Sequence, residues 1–200
     1  MHPRPSSAED KRRLIIDAAV RAFARRGYEA CRVADIASEA GVAYGLVYHY
    51  FHSKEEILET IFRETWNQML EAIRGVEELG EPADEQLRKV IAIVLRTWKR
   101  NPDLVRVLVR EETRTPHLQS EVTEIQQAID ALERIVRRGQ SEGRFGPELD
   151  ARVVSWSVYG ALEELMTGWV MGQLPGRDDD VARAERAVFV LFSRGLMNTD

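Results

Sequence analysis

The chain has 200 residues, of which 44% are hydrophobic and 30% charged, so it can bury a sizeable core and intrinsic disorder is excluded. Its single cysteine, Cys31, excludes an intrachain disulfide framework. Residues 153–174 are apolar and long enough to cross a bilayer, but Glu163 and Glu164 lie near the middle, where two acids are very costly in lipid. With no signal peptide visible, we expect a cytoplasmic protein that does not enter a membrane.

Charge is unevenly distributed along the chain, whose net charge at pH 7 is −5. Residues 1–55 carry nine Lys or Arg and seven Asp or Glu, together with three of the four histidines. The remaining residues carry 19 basic and 26 acidic side chains. A mildly basic N-terminal part followed by an acidic part is consistent with contact to DNA at one end only.

Apolar side chains recur at helical spacing through most of the sequence, and strand-like alternation is almost absent. Ser53, with Glu56 three residues later, has the pattern of a capping box at a helix start. We therefore predict an all-α fold with about nine helices. The predicted helices are residues 10–26, 33–40, 44–50, 54–73, 84–100, 103–114, 118–142, 151–173 and 178–197.

Residues 33–50 hold the most informative pattern, two short helices separated by a glycine-containing turn. Gly41 supplies the backbone freedom that a tight turn needs, and Ile36 and Val47 are expected to fill the small core between the helices. Residues 43–49 rise only about 9 Å as a helix, at 1.5 Å per residue, which suffices for one face to enter a DNA major groove. The pattern is typical of a DNA-reading helix-turn-helix.

A longer stretch around this pattern resembles the DNA-binding signature of the TetR family of transcriptional repressors. The resemblance implies an N-terminal three-helix helix-turn-helix DNA-binding domain at 1–54, with a flexible arm at 1–9, and a helical ligand-binding and dimerisation domain at 55–200. The sequence also lacks a nucleophile elbow, a phosphate-binding glycine loop and a zinc-protease motif, so we expect no enzyme. The matching positions are Gly27-Tyr28, Val33-Ala34-Asp35-Ile36-Ala37, Ala40-Gly41-Val42, Gly45 and Val47-Tyr48-His49-Tyr50-Phe51-His52-Ser53-Lys54-Glu55-Glu56-Ile57-Leu58.

The resemblance implies roles for individual residues in binding double-stranded operator DNA. Tyr48 and Lys54 are expected to contact phosphates, with a core position for Tyr48 and a solvated charge for Lys54 as alternatives. Arg32 stands where Thr or Ser usually caps the second helix; it cannot cap, but it either reaches a phosphate or is simply exposed. Tyr44 and Leu46 replace the more frequent Lys and Thr, so the operator sequence does not transfer from relatives. The expected DNA-binding residues are Arg32, Val33, Ala43, Tyr44, Gly45, Leu46, Tyr48, His49 and Lys54.

The helix predicted at 151–173 is apolar nearly all round, which predicts burial on more than one side. The family resemblance implies that this helix and the last one pair with their counterparts in a second copy, as a homodimer; a monomer core is the alternative. The expected dimer-interface residues are Val158, Leu162, Leu165, Trp169, Val188, Phe189, Phe192 and Leu196.

Residues 159–171 resemble the corresponding helix of the FadR-type members of this family, which respond to long-chain acyl-CoA and control fatty-acid degradation. The resemblance implies such an effector and no cofactor; another small hydrophobic effector, as in multidrug or efflux regulation, is the alternative. Glu163 is suggestive because a carboxylate in an apolar helix needs a partner or water.

A row of three arginines spaced by four residues is expected to offer cations to a coenzyme A phosphate, with a solvated basic face as the alternative. For the other pocket residues, plain core packing is the alternative. The expected pocket residues are Leu95, Trp98, Leu104, Arg106, Leu108, Arg110, Arg114, Leu132, Val136, Tyr159, Glu163, Met166 and Thr167. No metal site is expected, because His49, His52 and Cys31 have no further ligand at metal spacing.

Overall fold

The computed structural model describes residues 7–112 and 123–196. Within those ranges the chain forms nine α-helices and no β-strand, which confirms the predicted all-α fold. By contacts the chain divides into two compact units, Met1–Glu64 with Asp103–Gln119 and Thr65–Pro102 with Ser120–Asp200. The helices are α1 (Ala8–Arg26), α2 (Val33–Ala40), α3 (Tyr44–Tyr50), α4 (Lys54–Glu78), α5 (Ala83–Arg100), α6 (Pro102–Glu112), α7 (Thr123–Ser141), α8 (Ala151–Val170) and α9 (Asp178–Leu196).

The predicted helix boundaries are mostly right, and the largest error is the end of α4. The sequence predicted an end near Ile73 and a loop from Gly75 onward, whereas the helix continues through the glycine to Glu78. The apolar stripe continues as well, because Ile73 and Val76 are both buried. One glycine costs a helix only about 1 kcal/mol, and the burial of Val76 offsets that cost.

Two further boundaries need correction or lie outside the described residues. Helix α8 was predicted to reach Gln173 but ends at Val170, because Gly172 takes a left-handed backbone with φ 69°. The backbone N–H of Gln173 then turns back to donate to the Gly168 carbonyl at 2.8 Å. The predicted end of the sixth helix at Arg114 and the predicted start of the next at 118 fall outside the described residues.

The start of α4 also differs in detail from the predicted capping box. The Ser53 hydroxyl accepts the Glu56 backbone N–H at 3.1 Å, as expected. The Glu56 carboxylate, however, accepts the backbone N–H of His52 at 2.6 Å rather than that of Ser53. This bond also lowers the pKa of Glu56. The carboxylate thereby stabilises the link between α3 and α4 rather than the cap residue itself.

Helix α1 is the scaffold of the first unit. Helix α2 packs on α1, and α3 packs on α2. Ile36 of α2 and Val47 of α3 are fully buried, together with Phe23 of α1. Because helices of eight and seven residues are marginal in isolation, α2 and α3 depend on this burial for their conformation.

Ion pairs fix α2 along α1. Arg21 donates from Nε to Glu39 Oε1 at 2.8 Å, and Arg25 pairs with the other oxygen of the same carboxylate. Arg26 lies 2.9 Å from Asp35 Oδ1. The two hydrogen bonds from Arg21 and Arg25 hold the pKa of Glu39 below its ordinary value. Three arginines on one helix thus hold two acids on the other.

The turn between α2 and α3 has the geometry that the sequence predicted. Gly41 adopts φ 65° and ψ 33°, the left-handed conformation that glycine tolerates best. The next residue, Val42, donates its backbone N–H to the Ala37 carbonyl at 3.0 Å. At the other end of α2, Arg32 offers no capping oxygen, and the Asp35 carboxylate instead accepts the Arg32 backbone N–H at 2.9 Å.

The second unit is a layered helical bundle around α5. Helix α5 packs against α7, α8 and α9, and α8 also packs against α7 and α9. The Trp98 ring of α5 lies 6.0 Å from the Trp169 ring of α8, and its Nε1 donates to the Gly176 carbonyl at 3.0 Å. These contacts close the loop between α8 and α9. None of the described helices combines the length and hydropathy needed to cross a membrane.

Replacing Glu39 by Gln is expected to lower the free energy of unfolding by no more than about 1 kcal/mol at pH 7, because the pair is partly exposed. Since the folded-state pKa of Glu39 is lowered, its contribution is present above the pKa of the unfolded chain. It is lost as the pH falls through the folded-state pKa. Urea unfolding of E39Q and of the wild type, at pH 7 and at a series of lower pH values, measures the difference in their free energies of unfolding. Glu29→Gln, at an exposed acid, is the control, and an E39Q difference that persisted at low pH would contradict the expectation.

Candidate functional site

Helix α3 presents one exposed face. Tyr44, Gly45, Tyr48 and His49 are all exposed, and positions three and four apart share a side of a helix. Val47 points the other way into the core. The short helix therefore offers hydroxyl groups, an imidazole and bare backbone to a partner, on a surface narrow enough for a major groove.

The two tyrosines of this face are in contact. The hydroxyl oxygens of Tyr44 and Tyr48 lie 3.2 Å apart, within hydrogen-bond distance, and the rings meet edge to face with centroids 5.0 Å apart. Tyr44 is 53% and Tyr48 43% exposed, so both hydroxyls remain open to a partner. The hydrogen bond to Tyr44 raises the pKa of Tyr48. A core position for Tyr48, the alternative reading of the sequence, does not fit this exposure.

The remaining expected DNA contacts on α2 and α3 differ in exposure. Arg32 is exposed at the start of α2, and Val33 beside it is half-buried. Ala43 is the exposed residue that precedes α3, and Leu46 is half-buried. The His49 ring lies edge-on to Tyr50 at 5.0 Å.

Lys54 is more strongly held than the sequence indicated. Its Nζ donates to the Tyr28 carbonyl at 2.8 Å and lies 4.0 Å from the centroid of the Tyr28 ring. Because an ammonium has three N–H groups, this arrangement still leaves donors for a phosphate. Lys54 is half-buried, not a freely solvated charge.

Sequence reasoning missed the group that surrounds Lys54. The Tyr28 hydroxyl donates to Glu55 Oε1 at 3.0 Å, and burial is the main cause that raises the pKa of Tyr28. Tyr28 and Glu55 are 27 residues apart, so no local spacing reveals the contact. Cys31 nearby is buried, and its burial raises the pKa of the thiol. The lysine is therefore positioned by a partly buried tyrosine that links the end of α1 to the start of α4.

The expected dimer-interface residues divide into two groups. Val158, Leu162, Trp169, Val188 and Leu196 are already buried within the second unit of a single chain, which makes them core residues. Leu165, Phe189 and Phe192 are half-buried. The large apolar side chains that α8 and α9 expose are different ones, which sequence reasoning did not assign to an interface: Val153, Trp156, Val190 and Leu191.

Eight of the expected pocket residues belong to the second unit. Four of them are buried core residues, and four on α8 are half-buried. Burial, followed by the neighbouring Glu164, raises the pKa of Glu163, so its carboxyl group is held in a partly desolvated place. The buried residues are Leu95, Trp98, Leu132 and Val136, and the half-buried residues are Tyr159, Glu163, Met166 and Thr167.

The other expected pocket residues belong to the first unit, except for Arg114, which lies outside the described residues. Leu104 and Leu108 are half-buried. Arg106 donates to Asp103 Oδ1 at 2.7 Å, and Arg110 donates to the Ala24 carbonyl at 3.3 Å. The two arginines are therefore engaged within their own unit rather than forming a solvated basic face.

Trp66 on α4 is a second polar group that the sequence did not single out. Its indole Nε1 is buried and has no hydrogen-bond acceptor among the described residues. A buried donor of this kind is rare in folded proteins. A shallow groove one to two turns further along the helix is lined by Leu70, Arg74, Gln127, Asp130, Ala131 and Arg134.

The first unit has a left-handed glycine turn and an exposed short helix that packs on a longer one. These features define a helix-turn-helix DNA-binding unit, and the chain continues from it into a helical bundle. The chain belongs to the TetR family of bacterial regulatory proteins. The profile of bacterial regulatory proteins of the tetR family matches residues 15–61. The profile of the C-terminal region of YsiA-like proteins matches residues 62–192.

The relatives of this chain include regulators of fatty-acid metabolism. It is 31% identical to the fatty acid metabolism regulator protein of Bacillus subtilis (strain 168), over 92% of this chain and 94% of the relative. Its structure is similar to that of the fatty acid degradation regulator FadR from Bacillus halodurans, with a TM-score of 0.83 and 28% identity. The match covers 97% of this chain and 100% of that chain. The structure of FadR from Bacillus subtilis in complex with stearoyl-CoA is also similar, with a TM-score of 0.80 and 30% identity. The match covers 92% of this chain and 98% of that chain.

Gly45 gives a direct test of the α3 face, because no neighbour in the chain requires a glycine there. A Cβ at Gly45 would meet nothing within 4 Å, and its φ is not left-handed. We expect Gly45→Ala to keep or raise stability, by up to about 1 kcal/mol, while lowering DNA affinity through a methyl group on the contact face.

The matched control is Gly75→Ala on α4, which is equally open and free of positive φ. It is expected to give a similar gain in stability with no change in DNA affinity. Thermal unfolding and DNA titration of both variants make the comparison. Unchanged DNA affinity in Gly45→Ala would remove Gly45 from the contact face.

Proposed function

We propose that this chain is a transcriptional repressor that binds operator DNA as a homodimer and is released from it by a long-chain acyl-CoA, so that it controls fatty-acid metabolism. The observation that carries the proposal is the likeness to a fatty acid metabolism regulator across both units, over 92% of the chain. The stearoyl-CoA bound to the similar FadR from Bacillus subtilis supports the effector class.

Residues 1–54 are proposed as the DNA-binding domain and residues 55–200 as the ligand-binding and dimerisation domain. Helix α4 begins in the first compact unit and ends in the second, so the proposed boundary falls at the start of a continuous helix. The proposed DNA contacts combine neutral donors with two cations, and phosphate contacts fix the register while base contacts specify the sequence. They are Arg32, Val33, Ala43, Tyr44, Gly45, Leu46, Tyr48, His49 and Lys54.

The proposed homodimer uses the outer sides of α8 and α9. Val153 and Trp156 on α8, with Val190 and Leu191 on α9, are exposed although they are large and apolar. Exposed apolar side chains that gather on neighbouring helices mark an interaction surface. A second copy is the proposed occupant, because a compact half-site reader binds tightly when two copies engage a palindromic site. Leu165, Phe189 and Phe192 are proposed to border this surface.

Replacing Leu191 by Glu is expected to convert the dimer to a monomer at micromolar concentration, because a desolvated charge opposes association. Leu79→Glu is the matched control: Leu79 is 61% exposed and Leu191 69% exposed, but Leu79 follows the end of α4. Sedimentation velocity gives the mass of each variant. Dimers of Leu191→Glu as stable as those of the wild type would place the interface elsewhere.

The effector is proposed to bind in the second unit, to which Glu163 and Trp66 both belong. Glu163 is a partly desolvated acid, and Trp66 has a buried indole N–H without a partner among the described residues. Such sparse polar groups in an apolar setting suit an amphipathic ligand. Arg106 and Arg110, which belong to the first unit, stay predicted cations for a coenzyme A phosphate, because a guanidinium can bind phosphate oxygens in a bidentate manner.

Release requires that the acyl-CoA bind the DNA-incompetent dimer more tightly than the competent one, because equal affinity shifts no population. A coupling of about 1–3 kcal/mol would lower DNA affinity roughly 5- to 150-fold. The coupling is reciprocal, so DNA lowers the affinity for acyl-CoA by the same factor.

Titration of the protein–DNA complex with saturated acyl-CoAs of increasing length tests the effector. Longer chains are expected to release DNA better until the pocket is full, because each buried CH₂ contributes about 0.8 kcal/mol. Free fatty acids of matched length are expected to be weaker, since they lack the nucleotide. Release by unrelated hydrophobic drugs and by no acyl-CoA would favour the multidrug-type alternative.

A further inference from the structure

His52, in the short link between α3 and α4, is an exposed imidazole that is not among the DNA contacts proposed above. We propose that His52 is a further DNA contact: its protonated ring binds a backbone phosphate through Nε2 while Nδ1 stays paired with Glu56, so that operator affinity rises as the pH falls. The inference rests on the proposed function, in which α3 and the start of α4 contact DNA. It adds a contact residue and a dependence on pH.

One carboxylate oxygen of Glu56 holds both the backbone and the ring of His52. Glu56 Oε2 accepts the backbone N–H of His52 at 2.6 Å and lies 2.9 Å from its Nδ1. These contacts lower the pKa of Glu56, so the carboxylate is ionised at neutral pH. An ionised carboxylate can only accept hydrogen bonds. The hydrogen in the contact with the ring therefore belongs to Nδ1, in the neutral imidazole as well as in the charged one.

This arrangement leaves Nε2 with a different role in each charge state of the ring. In the neutral imidazole with its hydrogen on Nδ1, Nε2 is an acceptor, and so are the oxygens of a phosphate. A second proton makes Nε2 a donor as well, and its bond to a phosphate is then charge-assisted. Histidine is the side chain whose charge ordinarily changes between about pH 5 and 8. The phosphate contact therefore requires the imidazolium.

The position of His52 suits such a contact. Its side chain is 93% exposed, so the second ring nitrogen is open to a partner. The residue lies four positions after Tyr48 and two before Lys54, which are both proposed DNA contacts. The link itself is fixed, because Glu56 accepts the His52 backbone N–H and donates its own backbone N–H to the Ser53 hydroxyl at 3.1 Å. The imidazole is therefore carried by an ordered piece of backbone.

The charged and titratable side chains around His52, apart from Glu56, have other partners. Arg63 lies on the same helix as Glu56 and acts on it through its charge. The others are His49, edge-on to Tyr50, Lys54, bound to the Tyr28 carbonyl, Glu55, bound to the Tyr28 hydroxyl, and Arg12, paired with Glu64. Glu56 thus remains the acid in contact with the ring, and DNA adds a second anion. Because coupling between two ligands is reciprocal, a proton that DNA binding stabilises must also strengthen DNA binding.

Affinity measurements at pH 6 and pH 8 test the contact. The DNA is a palindromic duplex that the wild-type protein selects from a random library at low salt. His52→Gln, which is neutral at both pH values, is expected to bind about tenfold more weakly than the wild type at pH 6 and about equally at pH 8. At pH 6 its plot of log affinity against log salt is expected to be shallower than that of the wild type by about one.

His52→Lys restores the charge without the titration. It is expected to bind about as tightly as the wild type at pH 6 and about tenfold more tightly than the wild type at pH 8. NMR of ¹⁵N-labelled histidine follows the proton directly, with the His52 signal identified by its absence in His52→Gln. The midpoint of the His52 titration is expected to move to higher pH when DNA is added.

Arg137→Gln is the matched control, because Arg137 is also an exposed cation paired with an acid four residues away, Glu133, but belongs to the second unit. It is expected to leave DNA affinity unchanged at both pH values, and thermal unfolding checks that all variants are folded. Equal affinity of His52→Gln and the wild type at pH 6, no gain in His52→Lys at pH 8, or a His52 titration that DNA does not move would overturn the proposal. Failure of the wild type to select any site would instead overturn the proposed function.

Discussion

The helix-turn-helix depends on one constraint: two helices of eight and seven residues must be held by something longer. Helices of that length do not persist alone in water, because nucleation is costly and few hydrogen bonds repay it. Helix α1 supplies the missing stability through its buried face and through the arginines that hold Glu39 and Asp35. Once α2 is fixed, the left-handed Gly41 sets the direction of α3. The side chains on the exposed face of α3 are therefore placed by the contacts of α2 with α1 and by the turn at Gly41.

The same ion pairs help to explain how an acidic chain can contact DNA. Arg21, Arg25 and Arg26 neutralise the two acids of α2 within the protein, so those acids do not present unpaired charge to a phosphate backbone. The exposed face of α3 has tyrosine hydroxyls, an imidazole and a glycine rather than a row of cations. On this face the neutral donors are proposed to act together with the cations Arg32 and Lys54 in contacting DNA.

The predictions from sequence were most accurate for the helix-turn-helix, whose structure is determined by residues close together in the chain. The boundaries of α2 and α3, the turn at Gly41 and the burial of Ile36 and Val47 all agree with the predictions, because short-range spacing and a left-handed glycine determine them. Contacts between residues far apart in the sequence could not be predicted from it. The Tyr28–Glu55 hydrogen bond and the fixed ammonium of Lys54 depend on how α1 meets α4, which no periodicity reveals. The family of the chain was predicted correctly from the spaced signature, and both family profiles confirm it.

Helix α8 explains why an interface is harder to predict from sequence than a core. Apolar residues on all sides of a helix indicate that every side is covered, but not which side the chain itself covers. In this structure Val158 and Leu162 face the bundle, while Val153 and Trp156 remain exposed. The family resemblance implied that this helix pairs with a second copy, but it did not indicate which of its apolar residues, such as Val158 and Leu162, the chain itself covers. The packing of α5 and α7 against α8 separates the two sides, and the proposed contact with a second copy uses the outer side.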